Sequence, residues 1–261
     1  MSETPREIRQ RIREGTWFGT TVGCAKGYMQ TGLAILPKVL AFDFLLFCQR
    51  NPAPCPVVDV TEPGNPEAGY IAPGSDIRHD LPRYRVYAKG DLIDEPSNIT
   101  KYWRDDLVGF MLGCSFTFEG ELADHGIPLR HVEERKRVPI FITNRECMPA
   151  GIFRGNMAVT MRPIPSQMVS QAIQITGAMP KAHGAPVHVG FPEALGIADI
   201  HKPDFGDPVT IKPGEIPVFW ACGVTVQVLG RTIKPELLIT EAPAHMFITD
   251  YSYRGLVAKT V

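Results

Sequence analysis

The chain has 261 residues, of which 44% are hydrophobic and 21% are charged, so it can form one large domain or two modest ones with an ample core. Its formal net charge of −1 gives no basic footprint for nucleic acid or for an anionic membrane. The first fourteen residues are polar, and no apolar stretch is long enough to span a bilayer, which predicts a cytoplasmic protein.

The first part of the chain alternates helical and extended patterns. Residues 5–13 predict a helix, and apolar residues at helical spacing predict a second, buried helix over residues 30–50, which ends at the proline-rich turn 51–56. Short strands are predicted at residues 57–60 and 84–87. A loop rich in proline and glycine joins these two strands.

The middle of the chain predicts a compact α+β unit. Strands are predicted at residues 138–143, 156–161 and 186–189, and a helix at residues 166–178. A last strand is predicted at residues 246–249.

We therefore predict an α/β fold with mixed sheets and an inserted or appended α+β unit. Residues 1–126 together with 199–261 form the predicted main α/β domain, and residues 127–198 form the smaller α+β domain.

The chain is organised around the stretch that contains Cys222. The apolar run 218–221 predicts a buried strand, Gly223 permits a sharp turn, and Thr225 is suited to cap a following helix. Cys222 would then lie beside the free N–H groups of a helix start, a position that binds carboxylates and lowers the pKa of a thiol. The alternative is an inert, buried cysteine.

A second stretch repeats this pattern. Residues 108–117 run from an apolar strand through Gly113 and Cys114 to a helix-like segment, and an apolar strand follows each copy, at residues 142–144 and 239–241. The repeat predicts a two-part chain with weak internal duplication, in which two strand-to-helix elbows face one cleft. A chance match between short segments is the alternative. The six cysteines have no CxxC spacing, which disfavours structural zinc and disulfides.

Two clusters of polar side chains are candidates for chemistry. His183 and His188 could serve as acid and base or as metal ligands, because histidine titrates nearest neutrality; a hydrogen-bonded structural role is the alternative. Asp76, Arg78 and Asp80 could share one face of an extended segment, where Arg78 would grip a substrate carboxylate. A structural ion-pair network is equally compatible with that pattern. No nucleotide-binding fingerprint is present.

Several longer motifs carry a resemblance to a known family. They include Asp80-Leu81-Pro82-Arg83-Tyr84, Gly113-Cys114-Ser115-Phe116, His183-Gly184-Ala185-Pro186-Val187-His188 and Phe219-Trp220-Ala221-Cys222-Gly223. Over nearly its whole length the chain resembles the D-glutamate cyclase-like family, whose bacterial members are provisionally classed as hydro-lyases. The resemblance implies a carbon–oxygen lyase with a two-part α/β and α+β fold. The best-defined activity in the wider family is dehydration of D-glutamate to 5-oxo-D-proline.

The sequence departs from that family at four positions. The resemblance implies threonine, asparagine, histidine and glycine where this chain has His79, Gly32, Glu241 and Ala244. If Gly32 or Glu241 contacts the substrate, specificity has drifted from glutamate.

The main hypothesis is a hydro-lyase that acts on a small acid. Its catalytic candidates are His183 or His188 as proton donor, Asp80 or Glu119 as the group that orients it, and, in a less favoured variant, Cys222 as nucleophile. The helix starts after Cys114 and Cys222 would stabilise an oxyanion, and Arg78 or Arg162 would hold the α-carboxylate. The full substrate-binding set is Arg78, Arg162, Cys114, Ser115, Gly223, Thr225, Asn144 and Gln30.

Two other functions remain open at this point. One is a small-acid-binding protein without catalysis, which the departures at Gly32 and Glu241 favour slightly. The other is metal-assisted hydrolysis at His183 and His188 with a divalent metal such as manganese; no cofactor is certain. The expected partner is a small-molecule acid, with no nucleic acid or membrane, and a homo-oligomer is common for enzymes of this size.

Overall fold

A computed structural model describes residues 3–253. Within these residues the six helices are α1 Pro5–Arg13, α2 Lys38–Arg50, α3 Phe116–Asp124, α4 Arg130–Glu133, α5 Val169–Gly177 and α6 Thr225–Ile233. The strands are β1 Tyr28–Pro37, β2 Val57–Val60, β3 Tyr84–Ala88, β4 Asp91–Asp94, β5 Leu107–Gly113, β6 Ile140–Glu146, β7 Asn156–Pro165, β8 His188–Val189, β9 Glu215–Ala221, β10 Leu238–Glu241 and β11 Phe247–Ser252.

The strands form two sheets. The first has seven strands in the order β2-β5-β1-β10-β3-β4, with β11 also pairing with β1, and the second has the order β6-β7-β9-β8. Every strand pairing in both sheets is antiparallel. The prediction of an α/β chain is confirmed in its coarse form, but the predicted mixed sheets are wrong.

The two crossovers that contain the elbows add no parallel pair to either sheet. After β5 the chain passes through α3 into β6 of the second sheet, and after β9 it passes through α6 into β10 of the first sheet. A parallel pair needs a crossover that returns to the same sheet. Here both crossovers change sheets instead, which places the two elbows, residues 114–115 and 222–224, along the seam between the sheets.

This exchange of strands bears on two of the predictions. The second sheet includes β9, which lies beyond residue 198, so it recruits a strand from the predicted main domain. The division into residues 1–126 with 199–261 and residues 127–198 stays a prediction. The two crossovers have the same strand–elbow–helix–strand order, while the internal duplication itself also stays a prediction.

The predicted helix over residues 30–50 is wrong in its first third. Residues up to Pro37 belong to β1, which pairs with β5 from Thr31 to Pro37, and only α2 is helical. Leu33 to Leu36 are buried on both faces of the sheet. A strand buried on both faces has a continuous apolar run, which periodicity alone does not distinguish from a buried helix.

The core has a layer on each face of each sheet. Alternate residues of β1 point to opposite faces, so Ala34 and Leu36 pack with α2 and α6 while Leu33 and Ile35 pack under the segment 68–81. In the second sheet, Trp220 packs against α3 and α5. Each helix that follows an elbow thus packs on the sheet that the chain is entering, which fixes the elbow between the two sheets.

Gly113, at the end of β5, allows an unusually close approach of two backbones. A Cβ atom at this position would lie 1.6 Å from the carbonyl oxygen of Lys181. Lys181 belongs to the short 3-10 turn Pro180–Ala182, which immediately precedes His183. The absence of a side chain at Gly113 therefore brings His183 to the first elbow.

We predict that Gly113→Ala destabilises the protein by about 3 kcal/mol, because the methyl group meets rigid backbone and forces the two segments apart. The free energy of unfolding measured in urea checks this. Gly177→Ala is the matched control: its Cβ would lie 3.8 Å from the Ala185 Cβ, an ordinary contact, and a helical Gly→Ala change stabilises by about 0.5–1 kcal/mol. Equal stabilities of the two variants would contradict the close-approach argument.

Candidate active site

A cavity of about 810 Å³ lies where the two sheets meet. Its size is typical of small-molecule sites. Both elbows line it through Cys114, Ser115, Cys222 and Gly223, and His183 contributes from the 3-10 turn. The structure thus brings together five of the residues predicted from the sequence: four from the two elbows, which are 108 positions apart in the chain, and His183.

Each elbow is tied to the central strand of its sheet and leaves an N–H group free. The N–H of Cys114 donates to the Gln30 carbonyl at 3.2 Å, and the N–H of Cys222 donates to the Ala158 carbonyl at 3.0 Å. The N–H groups of Ser115 and Gly223 have no hydrogen-bond partner within residues 3–253. Because both residues line the cavity at a helix start, they can bind an anion.

The two elbow thiols differ from the sequence-based expectation. Burial raises the pKa of Cys222 to about 11, although the Val224 N–H and the Arg162 charge oppose it. Burial likewise raises the pKa of Cys114 far above its ordinary value, against the effect of the Phe116 N–H. The predicted lowering of the thiol pKa is therefore wrong, because desolvation outweighs the helix start. At neutral pH both side chains are thiols.

Thr225 supports the second elbow from outside the cavity. The predicted capping role falls to Val224, and Thr225 is the first residue of α6. Its hydroxyl donates to the Cys222 carbonyl at 2.7 Å and accepts from the Ala158 N–H at 3.0 Å. Thr225 therefore holds the elbow against β7.

A buried ion-pair network lies behind the first elbow. Arg162 is fully buried, and its guanidinium donates to Glu119 Oε1 at 3.1 Å, to Ser115 Oγ at 3.0 Å and to Thr160 Oγ1 at 3.0 Å. His131 Nε2 lies 3.2 Å from the same Glu119 oxygen. Ser115, Thr160 and His131 line the cavity, so the network connects the cavity wall to a charge pair inside the core.

The charge of Arg162 determines the ionisation of Glu119. Burial alone would raise the pKa of Glu119, but the Arg162 charge and the nearby His131 side chain lower it to about 2. The Arg162 guanidinium also lies over the Phe118 and Trp220 rings, at 5.1 and 5.5 Å, a favourable cation–π arrangement. The guanidinium of Arg162 thus donates its hydrogen bonds to protein side chains, and through Ser115 it holds the first elbow from the core side.

His183 is a neutral base with a defined tautomer. Its Nδ1 lies 2.7 Å from the Ala53 carbonyl oxygen, so Nδ1 carries the proton and donates it, and Nε2 is left as an acceptor. Burial lowers the pKa of His183 to about 4. The backbone at His183 has φ of 77°, a left-handed conformation that non-glycine residues rarely adopt and that is frequent at functional sites.

The structure does not bring the remaining predicted residues to the cavity. Asp80 is buried in an ion pair with Arg13 at 2.7 Å, and Arg78 pairs with Asp76 at 2.7 Å. This segment is therefore the structural ion-pair network that was the alternative interpretation. His188 lies in β8, where its Nε2 is 3.1 Å from the Phe191 carbonyl oxygen.

Gln30 and Asn144 also lie outside the cavity lining. The Gln30 side chain donates to the carbonyl oxygens of Thr21 and Cys24 at 2.9 and 3.0 Å, so it holds the segment that follows α1. Asn144 lies against Gly196.

The sequence analysis missed several polar residues of the cavity as site candidates, among them Glu241, His131 and Arg135. Glu241 appeared only as a departure from the family pattern, and the contact of its carboxylate with the Gly32 position was not visible in the sequence. Arg135 begins the basic run 135–137 and has a left-handed backbone with φ of 53°. It is exposed and forms no ion pair within the described part of the chain.

Three of the four departures line the cavity: Gly32, Glu241 and Ala244. Ala244 has φ of 67°, in the region that favours the glycine expected there. His79 is half-buried elsewhere, with Nε2 3.1 Å from Thr100 Oγ1.

Within residues 3–253, no three His, Cys, Asp or Glu side chains converge in a way that could hold a metal ion. The same residues include no helix that is long and apolar enough to cross a membrane.

The chain matches the family model of D-glutamate cyclase over residues 108–250. It is 59% identical over 246 residues to the provisionally named hydro-lyase Teth514_1597 of Thermoanaerobacter sp. (strain X514), covering 94% of this chain and 93% of that protein. It is 54% identical to the provisionally named hydro-lyase YcsI of Bacillus subtilis, covering 94% of this chain and 96% of that protein. The chain belongs to the D-glutamate cyclase family.

The stretch that matches the D-glutamate cyclase family runs from within β5 into β11. It therefore includes both elbows, the Glu119–Arg162 pair, His183 and Glu241, while β1 with Gly32 lies before it. A crystal structure of a nitrogen repressor-like protein, MJ0159 from Methanococcus jannaschii, aligns with 97% of this chain at 9% identity and a TM-score of 0.38. A similarity this weak carries no argument about the fold.

We predict that Glu119→Gln removes an acid-dependent part of the stability. The folded-state pKa of Glu119 is lowered to about 2, so its contribution is complete above the unfolded-state pKa of about 4.3 and is lost as the pH falls towards 2. Its size is roughly 3 kcal/mol. The free energy of unfolding, measured in urea, should differ strongly between wild type and variant at pH 7. The difference should be smaller at pH 3.

Glu134→Gln is the matched control for this experiment. The pKa of Glu134 in the wild type is also lowered to about 2, mainly by the hydrogen bond to Lys136. The Glu134–Lys136 pair is at the surface, however, where such interactions contribute little to stability. A Glu119→Gln variant that unfolds like Glu134→Gln at pH 7 would contradict a stabilising buried pair.

Proposed function

We propose that the protein is a carbon–oxygen lyase that removes water from a small amino or carboxylic acid, and that cyclisation of D-glutamate to 5-oxo-D-proline is the reaction to test first. The observation that carries the proposal is the meeting of two free elbow N–H groups with a neutral His183 in one cavity. Membership of the D-glutamate cyclase family supports it.

In the cyclisation of glutamate, two protons leave the substrate nitrogen and two reach the departing oxygen, all around one acyl centre. The α-ammonium loses a proton, and its nitrogen attacks the γ-carboxyl carbon to form the C–N bond. The tetrahedral intermediate carries an oxyanion; the nitrogen then loses a second proton and one carbon–oxygen bond breaks. The departing oxygen takes up two protons in total and leaves as water, so atoms and charge balance. A base, oxyanion donors and a proton donor are therefore needed.

The cavity residues match the first two requirements. Nε2 of His183 is an unprotonated acceptor and can take the proton from the substrate nitrogen. The N–H groups of Ser115 and Gly223 can donate to the oxyanion, and preorganised donors of this kind contribute most where charge develops.

The substrate carboxylate has a candidate partner at the cavity rim. Arg135 is exposed there and has no ion-pair partner within the described residues, so it can bind the α-carboxylate in bidentate fashion. In this proposal Arg162 takes no substrate contact, because its donors are already used by Glu119, Ser115 and Thr160. Its role is to hold the Ser115 elbow.

The two alternative functions predict different outcomes for the same assay. A binding protein without catalysis would retain affinity for small acids and form no product. Metal-assisted hydrolysis would lose activity with a chelator and regain it with manganese. The residues within 3–253 do not fit a metal site, so no step is assigned to a metal.

We predict that the purified protein converts D-glutamate to 5-oxoproline and leaves L-glutamate unchanged, as followed by proton NMR with and without manganese. His183→Asn should lower kcat by about 10²–10⁴-fold, which is the usual contribution of a general base. Asparagine tolerates a left-handed backbone, and its amide can still donate to the Ala53 carbonyl, so this variant should fold.

His188→Asn is the matched control, because His188 lies outside the cavity lining and its loss should leave kcat unchanged. Product from neither isomer would refute the cyclase reaction. Equal losses in the two histidine variants would remove His183 from the mechanism.

A further inference from the structure

The carboxyl group of Glu241 is built into the cavity wall without a charged partner. Glu241 is the last residue of β10, is only 8% exposed, and lines the cavity. Its Oε2 accepts the Leu33 N–H at 2.7 Å. Besides the Leu33 N–H, the backbone N–H of Glu241 itself interacts with the carboxyl group. No other residue within 3–253 donates a hydrogen bond to Oε1, so this oxygen remains available to a ligand in the cavity.

Gly32 makes room for this carboxyl group. A Cβ atom at position 32 would lie 3.1 Å from Glu241 Oε1 and 3.3 Å from its carboxyl carbon. Those distances are shorter than most real Cβ contacts, so a larger side chain would displace the carboxyl group. The hydrogen bond from the Leu33 N–H holds one carboxyl oxygen, and the space left at Gly32 accommodates the other. Together they determine where Oε1 lies.

The groups around Glu241 leave its charge uncompensated. From β3, Arg85 and Tyr87 are near, but the Arg85 guanidinium is paired with Glu95 at 2.6 Å. From the two elbows, the Cys114 and Cys222 thiols face it, and both are neutral at pH 7. The neighbouring parts of β1 and α6 contribute Gly32, Leu33 and Gln227, which do not ionise.

This setting favours the protonated acid. Burial raises the pKa of Glu241 to about 7, against the N–H groups of Leu33 and of Glu241 itself and the Arg85 charge. His183 lines the same cavity as an unprotonated base. Two titratable groups whose environments push their pKa values in opposite directions are the usual arrangement of an acid–base pair.

We propose that Glu241 is the proton donor of the site: Oε1 gives its proton to the substrate oxygen that leaves as water, and Gly32 keeps the carboxyl group in place. This inference rests on the proposed function. The substrate nitrogen loses two protons and the departing oxygen gains two. His183 takes the nitrogen protons one at a time, Glu241 supplies the oxygen protons one at a time, and exchange with solvent after each transfer resets both groups. The acid form is uncharged, so it admits a substrate carboxylate, whereas the ionised form repels one.

The test compares the pH dependence of kcat in the wild type and in Glu241→Gln. Wild-type kcat should fall about tenfold per pH unit above pH 8, because the active acid form disappears. Glu241→Gln keeps the size of the side chain and an oxygen that accepts the Leu33 N–H, so this variant should fold. Its kcat should fall by about 10²-fold or more, while its KM changes less than about threefold. The decline of kcat at alkaline pH should vanish in the variant. Unchanged kcat, or an unchanged alkaline decline, would overturn the proposal.

Gly32→Ala tests the geometry without removing a reacting group. Its methyl group displaces the carboxyl, so kcat should fall about tenfold while Gly177→Ala keeps wild-type kcat. Wild-type kcat in Gly32→Ala would remove Gly32 from the inference.

A binding measurement separates this inference from the proposed reaction. If the wild type forms no 5-oxoproline, titration calorimetry with 5-oxo-D-proline and with glutarate at pH 6 and pH 8 still tests Glu241. Wild-type affinity should fall about tenfold between these pH values, because the group with a pKa of about 7 ionises and repels the anion, while Glu241→Gln should change less than about twofold. The same pH dependence in both proteins, or no binding of either acid, would overturn the role of Glu241.

Discussion

The ion pair between Arg162 and Glu119 holds the helix that follows the first elbow against the second sheet. Glu119 belongs to α3, which follows a strand of the first sheet, and Arg162 lies on the central strand of the second sheet. A buried pair of this kind is costly to desolvate, and removing one partner leaves an uncompensated charge in the core. The same guanidinium holds Ser115, so the position of the first elbow depends on the pair.

The strand-to-helix elbows could be predicted from the sequence because local chemistry determines them. An apolar run, a cysteine and a glycine or serine before a helical segment define the turn at both Cys114 and Cys222, and the structure places both at one cavity. The antiparallel arrangement could not be predicted in this way. Whether a helix returns the chain to the same sheet or delivers it to another depends on long-range packing, which the pattern of single elements does not contain.

Contacts between distant residues explain what the sequence missed at the site. Glu241 and Gly32 are 209 positions apart, and each was noted only as a departure from a family pattern, whereas their contact gives both a physical reason. The Asp76–Arg78–Asp80 segment presents a different difficulty. Its charges satisfy one another and Arg13, and nothing in their spacing distinguishes an internal network from a site that grips a ligand.

Burial of the cavity affects its two titratable groups in a complementary way. Desolvation disfavours charge, so it lowers the pKa of a histidine and raises that of a carboxylic acid; here the pKa values are about 4 for His183 and about 7 for Glu241. Between these two pKa values the base has lost its proton while the acid keeps one, and the order of the two pKa values is the reverse of that in water. Both groups are then uncharged over the same pH range, so a zwitterionic acid can enter without meeting a fixed charge of either sign at the reacting centre. One physical cause, the exclusion of water where the two sheets meet, supplies both the acceptor and the donor that a dehydration needs.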